Sequence, residues 1–529
     1  MTRVKTSFNR RSFLKTTALA GGGMMLSISW LACQATPDEV LAMPDEWYDL
    51  DGFLKIGNNG VVTIMSPNPE IGQNVKTSMP MLVAEELDVD WSKVIVEQAP
   101  LNTDVFTRQL AGGSQSIRQA WKPLRMAGAT ARHMLKEAAA QAWQVPVEEI
   151  TTEAGVIYHK ASGKSAGYGE MASSAVNSTV PEEVELKELA DFKIIGTPRK
   201  NVDGKKIVTG QPLFGLDTYR EGMLTAMLVH PPAFGLRFKS MDDSAVRTMP
   251  GIKDVFVLTS YPEGMNTEWT DVSAFKEFVA IVGASTWEVM NAKKALRVDW
   301  QPIENFDQTA GLENTSDHAR KMEELGAKLA EVARKDGDPE GAFRRATKVI
   351  ERSYTAPFLA HNTMEPMNFF AHVTQDKAEL LGPIQTPEAM EKSVSARLNM
   401  PLEQIDIQMS RQGGGFGRRL YGHFIVEAAV ISQKMNAPVK LVYSREDDMT
   451  FGTYRPAYHA TYRAALDENN NLIAFHVRAG GIPESPLFAN RFPAGALDNY
   501  LAERWSIESN ISVGAFRAPR SNFIAGAEQ

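Results

Sequence analysis

Residues 385–419 read QTPEAMEKSVSARLNMPLEQIDIQMSRQGGGFGRR, and the order of elements along this stretch decides the fold. A strand over 379–384 leads into Gln385. Thr386 then suits a helix N-cap and Pro387 the first helical position, which sets Gln385 at the mouth of a helix N-terminus. Ile405, Ile407 and Met409 alternate along a second strand over 404–410 and bury one of its faces. The loop 413–417 follows, with four glycines in five residues, and a further helix comes after it. Such a loop takes positive φ and brings bare N–H groups close to a ligand. Arg418 and Arg419 add fixed positive charge suited to phosphate. The plainer alternative is a tight glycine turn with two solvated arginines, and the loop alone does not choose between them.

Two other loops have related chemistry. Pro69-Glu70-Ile71-Gly72-Gln73-Asn74 lies between a strand over 61–65 and a helix over 75–87, with a strand over 94–97 beyond. Ala111-Gly112-Gly113-Ser114-Gln115-Ser116 precedes a long helix expected from Lys122 to Trp143. Gly- and Ser-rich turns before helix N-termini are natural anion sites, although plain capping explains either loop taken separately. Close to the end stands Gly514-Ala515-Phe516-Arg517.

These segments together resemble the molybdenum-site core of the xanthine dehydrogenase/aldehyde oxidase family. The resemblance rests on Gln385, the 27 residues between it and the glycine loop, the loop itself, and Ala515-Phe516-Arg517. Gly417-Arg418-Arg419, where the family more often has Gly-Lys-Glu, points to the branch containing the large subunit of isoquinoline 1-oxidoreductase. Glu70-Ile71-Gly72-Gln73 is similar to the family's Glu-Met-Gly-Gln, and Gly113-Ser114-Gln115-Ser116 to its Ser-rich pterin loop. Both precede the hammerhead region here, an order that matches the same branch. Asn74 replaces a family glycine, which puts tight backbone approach at that point in doubt.

The resemblance implies an α+β multidomain fold, an aldehyde oxidase a/b hammerhead domain plus molybdopterin-binding α/β domains. The expected boundaries are an export signal over 1–33, a linker over 34–48 and an N-terminal molybdopterin-binding module over 49–184. A hammerhead domain over 185–301, a charged connecting helix over 302–345 and the molybdenum-site core over 346–529 follow. The implied cofactor is molybdopterin cytosine dinucleotide carrying molybdenum. It is expected against Gly72, Gln73, Gly113, Ser114, Gln115, Ser116, Gln385, Gly414, Gly415, Phe416, Gly417, Arg418 and Arg517. The pterin holds the metal, so no protein ligand to it is expected. Catalytic roles fall to Gln385 as an amide donor, Phe516 as an apolar wall and Arg517 as a holder of substrate or of its developing charge. The implied reaction is oxidative hydroxylation of N-heterocycles or aldehydes with oxygen from water.

Composition bounds the partners. A chain of 529 residues with 43% apolar and 23% charged residues is an ordinary globular composition of about three domains. The net charge of −8 argues against nucleic acid as a partner. The single cysteine, Cys33, excludes an Fe–S cluster within these residues, so electrons must leave through another polypeptide. A small [2Fe-2S] subunit is the implied partner, with a cytochrome as a further acceptor. The N-terminus carries Arg10-Arg11 before Phe13-Leu14-Lys15 and a short apolar run, which resembles a twin-arginine export signal and places the protein in the periplasm. A non-cleaved anchor is the alternative. Cys33 is a lipid-attachment candidate or an ordinary cysteine near a peptidase site.

Three readings stay closer to structure than to chemistry. His361 and Glu365, four apart, would suggest a ligand pair, but Pro366 argues against a shared helix face, and both are expected to be structural. Lys321, Glu324, Lys328 and Glu331 have helical spacing and suggest a solvated helix over 305–338. The acids in Tyr443-Ser444-Arg445-Glu446-Asp447-Asp448-Met449 are expected to organise a turn. Finally, the family's general base is a Glu in a Gly-Glu segment beyond the Ala-Phe-Arg motif, and the sequence reaches only Gln529. The expectation is therefore a fragment or a natural half-subunit that does not turn over as given. A non-catalytic folding or assembly partner is the competing class.

Overall fold

The computed structural model describes residues 2–5, 41–272, 275–303 and 312–528. The twin arginines, Cys33, the first part of the linker (34–40) and residues 304–311 lie outside the described residues. Contacts divide the chain into two units, Met1–Leu213 with Ile407–Arg411, and Phe214–Asp406 with Gln412–Gln529.

The first unit holds a sheet ordered Trp47–Asp49, Leu54–Gly57, Val62–Ser66, Val94–Gln98. Its last two strands are parallel, and the helix Val75–Leu87 makes the crossover between them. The second helix, Ser116–Trp143, packs on the first through Gly128, where a Cβ would lie 2.2 Å from the Val83 carbonyl oxygen. Only glycine admits that approach. A short strand, Thr2–Lys5, pairs antiparallel with Glu183–Leu186.

The unit runs on to Leu213, past the expected boundary at 184, and buried carboxylates explain why. Glu85 accepts the backbone N–H groups of Lys193, Ile194 and Ile195 at 2.9, 2.6 and 3.0 Å, and the Lys187 ammonium at 3.0 Å. Glu86 accepts from Arg125 Nε at 2.7 Å and from the Lys187 backbone at 3.1 Å. These contacts offset the desolvation of two adjacent acids and hold 187–195 to the first helix.

In the second unit one sheet carries Ile252–Thr259, Glu277–Gly283, Leu224–Val229, Val439–Val442, Asn368–Val373 and Ala378–Gly382 in that order. The strands assigned to a separate hammerhead domain therefore share a sheet with the core. The junction is a parallel pairing of Leu224, Thr225 and Ala226 with Val439, Lys440 and Leu441. A pairing across more than two hundred residues leaves no local signal. A second sheet is ordered Glu331–Asp336, Tyr500–Ser506, Leu472–Ile482, Ala457–Leu466, Lys348–Ala356.

The charged segment is not one helix. It forms a helix Thr315–Ala327, capped by Asn314 accepting from Asp317 N, then the strand Glu331–Asp336 and a helix Pro339–Arg345. Lys321 and Glu324 lie on the first helix, but Lys328 is its C-cap and Glu331 pairs with Arg504 in the sheet. Charges at an exposed sheet edge mimic helical spacing when no apolar period contradicts it. Among the described residues no helix is long and apolar enough to cross a membrane.

Candidate functional site

The expected elements form around the glycine loop. Strand Ala378–Gly382, helix Pro387–Leu398, strand Ile405–Met409 and helix His423–Met435 all form, and Ile405, Ile407 and Met409 are the buried positions of their strand. Thr386 holds the N-cap position, but its hydroxyl donates to the Leu420 carbonyl at 2.8 Å instead of capping the helix. Gln385 N–H donates to the Arg419 carbonyl at 2.9 Å, so the start of the helix is sewn to the end of the loop.

Each loop glycine has its own reason. Gly414 and Gly417 have φ of 100° and 103°. A Cβ on Gly417 would also lie 1.8 Å from the Ala515 carbonyl oxygen, and one on Gly413 2.4 Å from the Glu365 Cβ. At Gly415 a Cβ would meet Gln385 Oε1 at 2.6 Å and Gln412 Oε1 at 3.5 Å. Two buried amides thus converge on one bare backbone position. Gln412 donates its amide to the Ile384 carbonyl at 2.6 Å, and its Oε1 has no partner among the described residues. Sequence reasoning passed over Gln412, although its place directly before the glycine run was the available signal.

Phe416 takes φ of 55°, a left-handed conformation that costs an aromatic residue roughly 1–3 kcal/mol. Its carbonyl accepts the Arg517 N–H at 2.7 Å, and the Arg517 guanidinium lies 5.7 Å from its ring centroid. Strain gathers nearby, with Thr453, Ala518 and Arg520 also at positive φ. The structure therefore brings Gln385, Gly414, Gly415, Phe416, Gly417, Phe516 and Arg517 together in the second unit.

Arg418 and Arg419 are neither solvated nor presented to a ligand: both are fully buried. Arg419 donates from Nε to the Gly414 carbonyl at 2.8 Å and from Nη2 to the Glu365 carbonyl at 2.7 Å, with Glu365 Oε2 at 3.3 Å. Burial pulls its pKa down to about 10, which still leaves it charged at neutral pH, with the Glu365 carboxylate favouring that charge. Arg418 reaches His423 Nε2 at 3.3 Å, and burial, reinforced by Arg418, holds His423 neutral. Arg418, expected to touch cofactor, instead braces the loop from behind.

Glu365 is the hub of that brace. Its Oε2 accepts Gly413 N–H at 2.7 Å, and its Oε1 accepts Leu216 N–H at 3.1 Å and Asn368 Nδ2 at 3.0 Å. His361 donates from Nε2 to the Ala515 carbonyl at 2.8 Å and packs on Phe516 at 4.9 Å; burial lowers its pKa to about 4. Both residues position the loop and the Ala515–Arg517 segment. Tyr421, which carried no sequence signal, accepts the Ala515 N–H at 2.6 Å. Ser444 and Asp447 form a capping box on the short helix Arg445–Thr450, which is how those acids organise their turn.

The first-unit residues form their own group. Glu70, buried, accepts from Gly72 N, Asn74 N and Lys76 N at 2.7, 3.0 and 2.9 Å and shapes the loop before Val75–Leu87. Asn74 has φ of 70°, a left-handed conformation that asparagine adopts more readily than most residues other than glycine. Gln73 folds back, its Oε1 accepting Ile71 N–H at 2.7 Å and its amide donating to the Pro69 carbonyl at 3.1 Å. The long helix starts at Ser116, earlier than expected, so Gly113, Ser114 and Gln115 lie directly at its N-terminus. Asn68 joins the two loops by donating to the Leu110 carbonyl at 2.9 Å and to Ser116 Oγ at 3.0 Å. Gly72, Gly113 and Ser114 all have positive φ.

A pterin with a nucleotide tail needs bare backbone donors and amides, without imidazole or thiolate ligands. Each unit, taken by itself, offers groups of that kind: the second the unpartnered Gln412 oxygen beside bare Gly415, the first the uncrowded Gly72 and the left-handed Gly113–Ser114 turn at a helix N-terminus.

Comparison with known proteins agrees. Two family models, both described as molybdopterin cofactor-binding domains, match residues 9–212 and 322–481. The isoquinoline 1-oxidoreductase subunit beta of Brevundimonas diminuta is 29% identical over 88% of this chain and 63% of its own length. The membrane-bound aldehyde dehydrogenase [pyrroloquinoline-quinone] of Gluconacetobacter polyoxogenes is 26% identical over 97% of this chain and 66% of its own. The aldehyde oxidoreductase structure from Desulfovibrio desulfuricans superposes with a TM-score of 0.48 at 17% identity, covering 67% of this chain and 44% of that one. The chain is a molybdopterin-binding α+β protein. It belongs to the xanthine dehydrogenase/aldehyde oxidase family of large subunits, on the isoquinoline 1-oxidoreductase branch. It spans just under two thirds of the length of these two relatives.

Proposed function

We propose that this chain is the molybdopterin-binding part of an exported molybdenum hydroxylase acting on N-heterocycles or aldehydes. The observation that carries the reading is the convergence of the Gln385 and Gln412 amides on Gly415, beside Phe416 and Arg517. When bound, the molybdenum cofactor supplies oxygen transfer from water and takes up two electrons. The chain's own residues do the rest. Gln385 and Gln412 offer amide groups at the loop, and Gly415 keeps the space before them clear of a side chain. Phe416 and Phe516 give flat apolar surfaces that exclude water. Arg517 is positioned to hold substrate or stabilise negative charge developing on it.

The first-unit loops are assigned to the pterin and its nucleotide tail, taken as cytosine dinucleotide. Electrons pass to a separate [2Fe-2S] subunit and onward to an acceptor such as a cytochrome. Export follows the twin-arginine route to the periplasm, with Cys33 as a candidate lipid anchor. The test is metal and nucleotide analysis of the exported protein coexpressed with an Fe–S partner. Molybdenum with released cytosine nucleotide is the expected result. Protein that folds and pairs but contains neither would overturn the reading in favour of an assembly role.

A further inference from the structure

A cleft of about 520 Å³ opens in the second unit beside Phe516, and its composition bears on substrate choice. Tyr421, Tyr458, Phe488 and Phe516 give it aromatic walls. Three charged side chains line it, and two cancel: Glu484 accepts from Arg520 Nη2 at 2.8 Å and from Tyr458 Oη at 3.1 Å. The third, Arg455, has no such counterpart. It donates from Nη2 to the Pro357 carbonyl at 2.8 Å and lies 5.8 Å from the Phe516 ring centroid. Its Nε is buried without an acceptor, and among the described residues no carboxylate comes within ion-pair distance of it.

Two neutral groups complete the pattern. The Tyr421 oxygen accepts the Ala515 N–H at 2.6 Å, which leaves its own O–H to donate. Asn522 spends its amide on the carbonyls of Phe516, Arg517 and Ala518, and its Oδ1 is buried without a donor. A ligand that satisfies the cleft is flat, carries one negative charge for a guanidinium, and offers one N–H or O–H. Guanidinium and carboxylate match in charge and in fork geometry, and a half-buried arginine with no counter-ion gains from such a partner.

We propose that this cleft selects a planar aromatic carboxylate and that Arg455 is the residue that reads its charge. The proposal rests on the hydroxylase reading of the neighbouring Phe516–Arg517 segment, and narrows it from heterocycles and aldehydes in general to those bearing an acid group. Arg455 is a specificity residue here, with no part in the redox chemistry.

The test is calorimetric titration of the full chain with quinoline-4-carboxylate, its primary amide and unsubstituted quinoline. The carboxylate is expected to bind about tenfold or more tightly than the amide. Arg455→Gln keeps a donor for the Pro357 carbonyl and is expected to bring carboxylate affinity down to that of the amide, with amide affinity unchanged. Arg455→Lys should restore part of the preference. Binding of carboxylate and amide within about twofold of each other in the unsubstituted protein overturns the proposal, and that comparison needs no variant to fold. So does a preference that survives Arg455→Gln. Metal analysis of the same preparation separates the two readings. Molybdenum-loaded protein without the preference overturns carboxylate selection alone, and molybdenum-free protein with it overturns the hydroxylase reading alone.

Discussion

The glycine loop of the second unit and the two glycine loops of the first use the same residue for different ends. At Gly417 a Cβ would strike the Ala515 carbonyl, and behind the loop two buried arginines and Glu365 leave no slack. At Gly72 nothing lies within 4 Å of where a Cβ would sit, and at Gly113 the nearest atom is Gln115 Cγ at 3.5 Å. The first-unit glycines are needed only for their φ of 101° and 60°. One loop is a fixed wall, whereas the others are turns facing open space.

The contrast is open to measurement. Its largest expected effect is at the brace: Glu365→Ala strands Arg419 as a buried charge and should cost about 3–5 kcal/mol in equilibrium denaturation. Adding Arg419→Met should recover part of that loss, since the two residues act as one unit; strictly additive costs would show that the brace is not shared. Gly417→Ala combines a forbidden φ with a backbone clash and should cost about 2–4 kcal/mol.

The pH dependence comes next. Burial raises Glu427 from 4.5 to about 7, and Tyr443 donates to it at 2.6 Å. A carboxyl with a raised folded-state pKa contributes stability that is present below its unfolded pKa. That contribution is lost as pH rises through the folded value. Stability should therefore fall between pH 4.5 and about 7, by up to about 3 kcal/mol. Glu427→Gln should flatten that portion of the melting-temperature profile, and an unchanged slope would remove Glu427 from the account. Smallest of all, Gly72→Ala and Gly113→Ala should cost only about 1 kcal/mol each. Losses as large as that of Gly417→Ala would erase the distinction between the loops.

Much of this was legible beforehand where the signal is local. The strand–helix–strand–loop order around residue 385 follows from Pro387, the Ile405-Ile407-Met409 alternation and the glycine run. Long-range relations were not. Nothing adjacent to Arg419 tells that it is interior, because its partner Glu365 stands 54 residues away and is supplied by chain reversal, and Arg418 beside it is buried against His423. The strands within 185–301 were expected as a separate hammerhead domain, yet nothing in their own sequence registers which edge a strand presents. Helical spacing in the charged segment failed for a further reason: Lys and Glu tolerate an exposed strand as readily as an exposed helix.

The parallel register between Leu224–Val229 and Val439–Val442 has a practical corollary. Engineers who wish to graft the 224–283 strands elsewhere, or delete them, would strip one flank of a central ribbon and bare its amides to water. Such a product should precipitate rather than fold, and chimeras in this family are better spliced outside both strands.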